Sequence, residues 1–256
     1  MSESILDYLE DQIKGHIPYL DIIDKVPGIT IDESYKLMLD LAKRKEKNGD
    51  KLIGYKAAYT SKAMQKQNGM DEPIIGCLMR SGLYNDGELI QLKKNIPTIA
   101  EPEITVMLGK TLTGPNVNTF IASSAIEGLF PSIEFADWSI GGKGRSRQMG
   151  IATHKSTGGF IIGGPMFSPK GLDMRLEGAV IRINGEPRGS GTGVEVLGDP
   201  INVIVEVANM LARYDKTIEA GMIIMTGSIV QAVPISSGDE VEVQFTRLGT
   251  VRSKFL

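Results

Sequence analysis

From about residue 52 onward the chain is cut into short apolar runs bounded by glycine, proline or aspartate: KLIGYKAAY, GELIQL, EITVML, PSIEFAD, GFIIGG, GAVIRING, MIIMTG and DEVEVQF. Runs this short between turn formers predict strands. The first 50 residues predict helix instead. The clearest signal is Thr30-Ile31-Asp32-Glu33, a capping-box spacing that opens YKLMLDLAKRKEKNG, with cations in the last turn and Gly49 closing it. Two further helices are expected among the strands, one near 118–128 capped by Asn118 and one near 200–214 with Asp199 as cap and Pro200 at the first helical position. The fold class is therefore α+β, with a helical N-terminal region at 1–75 and a β-rich domain at 76–256, Lys56 being contributed from the N-terminal part.

With 256 residues, 41% hydrophobic and 23% charged, the chain is long enough to bury a full core. A formal net charge of -3, and no basic run beyond KRKEK at 43–47, leave no electrostatic footprint for nucleic acid. Cys77 is the only cysteine, which excludes an internal disulfide and a cysteine-based zinc site and fits a reducing compartment. The segment MSESILDYLEDQIK is acidic and amphipathic, and no run approaches the roughly 18 apolar residues of a membrane span, so a cytoplasmic protein with no membrane partner is expected.

Within the strand AEPEITVML, Glu101 and Glu103 stand two residues apart and point the same way. Like charges held so close need compensation. A solvated strand end would provide it, and so would a hard cation such as Mg2+ or Mn2+, for which paired carboxylates are good ligands. PSIEFAD adds a single acid, Glu134, among Ile133, Phe135 and Ala136, where a charge must be paired or bind a cation. Three carboxylates on two strands leave about half of an octahedral shell for water and substrate.

Other motifs carry less. GSGTG at 189–193 imitates a phosphate loop, but VEVLG follows before any helix, so the glycines cannot present a helix N-terminus. GGKGRSR at 141–147 reads as a surface loop or as a positively charged lid. With His16 and His154 as the only histidines, no Ser-His-Asp set can be assembled.

GYKAAYTSKAMQ at 54–65, the acids at 101, 103 and 134, FIIGGP at 160–165 and TGSIVQAVPISSGDEVEVQF at 226–245 together resemble the hydratase/decarboxylase family of the aromatic meta-cleavage pathway. That family belongs to the fumarylacetoacetate hydrolase fold group, and the resemblance runs from about residue 28 to the C-terminal strands. It implies a fumarylacetoacetate hydrolase-like catalytic domain in which Glu101, Glu103 and Glu134 hold Mg2+ or Mn2+, the metal chelates a 2-oxo acid, and Lys56 sits at the reacting carbons. A lysine near that cation and partly desolvated would have a lowered pKa suited to proton transfer.

Two sister activities share the scaffold. One is decarboxylation of 2-oxo-3-hexenedioate (4-oxalocrotonate); the other is hydration of 2-hydroxypenta-2,4-dienoate (2-keto-4-pentenoate) to 4-hydroxy-2-oxopentanoate. Hydratases of this family carry an acid in a P-D-F-G-like segment, where this sequence has Ile74 in EPIIG, and the resemblance therefore implies the decarboxylase. Ser61, Ile74, Lys155 and Ser156 are the candidate substrate contacts, with Lys155 able to pair with a distal carboxylate or to lie solvated on a loop. The chain departs from the family pattern at Ala58-Tyr59, where Gly-Leu is usual, and at Thr153-His154-Lys155-Ser156, where Asp-Asn-Ala-Ser is common. A homo-oligomer, associated with a sister enzyme, is the assembly implied. A non-catalytic partner subunit is the reading from another class, against which the intact Glu101, Glu103, Glu134 and Lys56 argue.

Overall fold

A computed structural model describes residues 3–16, 18–67, 69–94, 96–137, 145–154 and 157–256. The helical start forms as its caps dictate: α1 (Glu3–Lys14), α2 (Ile22–Lys25) and α3 (Ile31–Lys47). Thr30 Oγ1 accepts the Glu33 amide at 3.2 Å while Glu33 Oε2 accepts the Thr30 amide at 2.8 Å, the reciprocal bonds expected from the spacing. Strands and short helices follow in the order β1 (Leu52–Ala58), α4 (Lys62–Gln67), β2 (Ile74–Met79), β3 (Leu83–Asn85), β4 (Leu89–Ile90), β5 (Thr98–Leu108), α5 (Thr119–Ala125), β6 (Ile126–Asp137), α6 (Arg147–Ala152) and β7 (Thr157–Ile162). The chain continues through β8 (Gly178–Ile183), β9 (Glu186–Thr192), α7 (Pro200–Ala212), β10 (Ile223–Ser228), β11 (Val233–Ile235), β12 (Glu240–Phe245) and β13 (Thr250–Phe255).

Two sheets result. The larger runs β2-β1-β10-β5-β6-β7-β3, with β11 joining β5 beyond β10, and the smaller runs β4-β13-β12-β8-β9. β1 pairs parallel to β10, whereas β5 and β6 pair antiparallel along their whole length, from Thr98 opposite Asp137 to Leu108 opposite Ile126. The main core fills the space between the sheets and α7, and includes Ile104, Ile133, Phe135, Val207, Val243 and Phe255.

The strands are longer than local sequence suggests. Pro131 reads as a strand end, yet it lies inside the ladder opposite Ile104, as Pro102 does opposite Ile133. The helix expected to reach 128 stops at Ala125, because Ile126 is taken up by pairing with Leu108. Pairing partners distant in sequence set these boundaries, which local propensity cannot see. GSGTG lies largely on β9, and its glycines are steric necessities: a Cβ at Gly191 would fall 1.9 Å from the Ile229 carbonyl oxygen, and one at Gly193 1.9 Å from that of Met174.

The N-terminal helices do not stand apart. Leu6, Leu9, Ile22, Leu37 and Leu41 share one buried cluster with Met149 and Ala152 of α6. A division after residue 75 would cut β2, and β1 already belongs to the larger sheet. Among the described residues no helix is long and apolar enough to cross a membrane.

Candidate active site

Cross-strand partners share a face of a sheet, so the registers fix which side chains meet. Lys56 stands opposite Gly76 on one side and Met225 on the other; Met225 stands opposite Thr105; Glu101 stands opposite Glu134, and Glu134 opposite Phe160. One face of the larger sheet therefore carries Lys56, Glu101, Glu103 and Glu134 above a small apolar floor of Leu78, Phe160, Ile223 and Met225. In a flat sheet β1 and β6 would lie three strand spacings, about 14 Å, apart, with side chains standing perpendicular to the sheet. Here Lys56 Nζ nevertheless donates a hydrogen bond to Glu134 Oε1, both residues being buried. The sheet must curl around this face, and the curl brings the lysine onto the acids.

Among the described residues, one group of acids is arranged as metal ligands are: Glu101, Glu103 and Glu134 offer oxygens that all lie within 4.8 Å of one another. An octahedral ion with bonds of about 2.0–2.1 Å sets opposite ligands about 4.2 Å apart, so small side-chain rotations close the shell. Burial, reinforced by the charges of Glu134 and Glu101, pushes the Glu103 carboxyl well above the usual carboxylate range, while the Gly227 amide and Lys56 act the other way. Such a cluster suits a hard divalent cation, which would relieve the repulsion that raises Glu103. Burial also opposes the charge on Lys56, but Glu134, Glu101 and Glu103 outweigh it and raise the lysine above its ordinary value. The expected lowering is therefore not produced by the protein groups alone.

Ile74, opposite Ala58, lies on the Lys56 face and is buried, with its Cδ1 3.9 Å from where a Cβ on Gly150 of α6 would be. It forms an apolar wall beside the lysine. Ser61 Oγ accepts the Met64 amide at 3.1 Å and so starts α4. Lys155, Ser156 and residues 141–144 of the glycine-rich segment lie outside the described residues. At the near end of that segment, Asp21 accepts the Ser146 amide at 2.8 Å, which ties the start of α6 to the N-terminal helices.

Sequence reasoning missed three participants. His154 is buried in a left-handed backbone conformation (φ 54°), and its Nδ1 accepts the Cys77 amide at 3.2 Å, covering the edge of β2. Burial, with the nearby charges of Lys45 and Lys56, presses its pKa down to about 3, so it is a neutral acceptor here. Gly227 donates its amide to Glu103 Oε2 at 2.8 Å, and Thr60 packs against Gly227. A glycine interrupting an apolar strand run was the available signal for Gly227, since it marks a bulge or a close backbone approach.

Residues 48–256 match the family model described as fumarylacetoacetate (FAA) hydrolase C-terminal. The chain is 32% identical over 235 residues to a 4-oxalocrotonate decarboxylase of Pseudomonas putida, covering 92% of this chain and 89% of the relative. It is 30% identical over 243 residues to a 2-keto-4-pentenoate hydratase of Paraburkholderia xenovorans (strain LB400), covering 93% and 88%. The fold superposes with a TM-score of 0.94 on the 4-oxalocrotonate decarboxylase of Pseudomonas putida G7 complexed with magnesium and adipate, at 31% identity over 99% of this chain and 96% of that one.

Proposed function

The chain belongs to the fumarylacetoacetate hydrolase family, and from that premise we propose that it is a divalent-metal-dependent lyase that removes CO2 from 2-oxo-3-hexenedioate to give 2-hydroxypenta-2,4-dienoate. The observation that carries this reading is the convergence of Glu101, Glu103 and Glu134 beside Lys56 on one buried face. The three carboxylates are the groups that would hold Mg2+ or Mn2+, and the magnesium in the similar decarboxylase structure supports that choice. When bound, the cation supplies fixed positive charge that favours electron density on the 2-oxo oxygen.

In this substrate the C6 carboxylate is conjugated with the C2 oxo group through the C3–C4 double bond once C5–C6 begins to break. The C5–C6 bonding electrons become the C4–C5 double bond, the C3–C4 pair moves to C2–C3, and the carbonyl pair ends on the C2 oxygen, which takes up one proton. Lys56 is the group that holds and moves protons at the reacting carbons and oxygen, with Glu134 orienting its ammonium. Ile74 presents hydrocarbon where the departing carboxylate must shed water, and no activated water is required. From the sequence resemblance, Lys155 is assigned to the distal carboxylate, with Ser61 and Ser156 as further substrate contacts.

The specific observation favouring a second reading is that hydratases match this chain about as well as decarboxylases do; on that reading the product is 4-hydroxy-2-oxopentanoate. NMR product analysis with both substrates and Mg2+ separates the two. The wild type is expected to release CO2 from the dicarboxylate and to hydrate the dienoate poorly, and Ile74→Asp to suppress decarboxylation. Efficient hydration of the dienoate without CO2 release from the dicarboxylate would transfer the assignment to the hydratase. Full turnover in excess EDTA would end the metal-dependent reading altogether.

A further inference from the structure

The ladder between β10 and β5 slips between Met225 and Ser228, and Gly227 sits in that slip. Its backbone is left-handed (φ 99°), and its amide is thereby turned out of the strand toward Glu103 Oε2, at 2.8 Å. Neighbouring bonds fix the slip on both sides. Thr226 Oγ1 donates to the Ile104 carbonyl at 2.9 Å, and the Ile229 amide donates to the Pro102 carbonyl at 3.0 Å, so the segment is tied to β5 on either side of Glu103.

Thr60 closes the arrangement from the other side. It is buried four residues beyond Lys56, its carbonyl accepts the Leu197 amide at 2.7 Å, and Tyr59 before it is itself left-handed (φ 59°). A Cβ placed on Gly227 would lie 2.0 Å from Thr60 Oγ1 and 2.8 Å from its Cβ and Cγ2. No side chain fits between them, so the threonine lies directly against the glycine.

We propose that Thr60 and Gly227 form a lock that positions Glu103 for the metal: the Gly227 amide holds one carboxylate oxygen, and Thr60, through van der Waals contact, keeps that amide from turning away. The lock rests on the metal-site reading above and extends it, because it ties the segment that carries Lys56 to the geometry of an acid two strands along the sheet order. Thr60 and Gly227 are positioning residues, acting through Glu103.

The test measures metal affinity in the purified full chain without substrate, by calorimetry with MgCl2 and by loss of the free-ion electron paramagnetic resonance signal with MnCl2. Thr60→Ala is expected to weaken binding about 10-fold or more, as loss of groups that orient metal ligands generally does. Thr60→Val keeps the shape without the hydroxyl and should bind within about threefold of wild type, which separates contact from hydrogen bonding. Gly227→Ala combines a steric overlap with a strained backbone and should bind most weakly. If it fails to fold, the Thr60→Ala/Gly227→Ala pair decides: partial recovery of folding or affinity is the non-additivity that a direct contact requires. Wild-type affinity in a folded Thr60→Ala would overturn the lock while leaving the metal site standing. Failure of the wild type itself to bind either ion would overturn the metal site first.

Discussion

On β5, Glu101, Glu103 and Thr105 turn to one face of the larger sheet, while Ala100, Ile104 and Val106 turn to the other. The first face collects charge and the second is continuous hydrocarbon, although both come from one stretch of backbone. On the hydrocarbon face each residue contributes by area and fit, and neighbours can share a loss. On the charged face each residue contributes by position, and the cluster is repulsive without its lysine or a cation. A slip of one residue between β5 and β6 would exchange the two faces, so the continuous register of these strands from Thr98 to Met107 is what keeps acids out of the core.

The largest expected effect breaks the charged face. Lys56→Ala should lower turnover by about 100-fold or more while metal still binds, because general acid-base groups typically contribute 10²- to 10⁴-fold. Arginine should not restore it, since it cannot give up its proton at neutral pH. Steady-state kinetics beside metal titration read this out, and near-normal turnover would make the lysine structural.

Ile104→Ala addresses the other face of the same strand. Its side chain is fully buried, so the variant should lose about 2–5 kcal/mol in denaturant unfolding while metal affinity at low temperature stays within about threefold of wild type. A large drop in affinity with little loss of stability would mean that the two faces are not separable.

Smaller still is the cap of α7, where Asp199 Oδ1 accepts the Ile201 amide at 2.9 Å. Asp199→Ala should cost about 1 kcal/mol of stability with metal affinity unchanged.

In the neutral range the smallest effect is one of pH. His154 has a folded pKa of about 3, below its unfolded value near 6.5, so its contribution to stability is fully present above about pH 6.5 and is lost as pH falls toward 3. Between pH 8 and 5 NMR should show no imidazole titration at this position, whereas unfolding should show stability falling below about pH 6.5. A His154 ring that titrates near 6.5 in the folded protein would remove it from the buried edge of β2.

Much of this was legible from residues alone. Spacing announced the capping box at Thr30 and the cap at Asp199, because both signals are local and their bonds span three residues or fewer. The paired acids and Glu134 stood out as charges in apolar strands, which physical cost alone makes conspicuous. What stayed hidden depends on distant partners. IIGCLM and TVRSKF became β2 and β13 only through neighbours supplied by the folded sheets. The sequence could not show that Gly227 would face Thr60, or that His154 would lie against the edge of β2, since both contacts join segments far apart in the chain.

The parallel pairing of β1 with β10, Gly54 beside Ile223, joins strands separated by well over half the chain. During synthesis the acids of β5 and β6 can pair as a local ladder long before β10 has left the ribosome. Lys56 cannot take its place on the same face until β10 arrives to seat β1. A polypeptide arrested or cleaved before residue 223 would thus carry the three carboxylates without their lysine in position. The seating of Lys56 against the acids is withheld until nearly the whole chain is made.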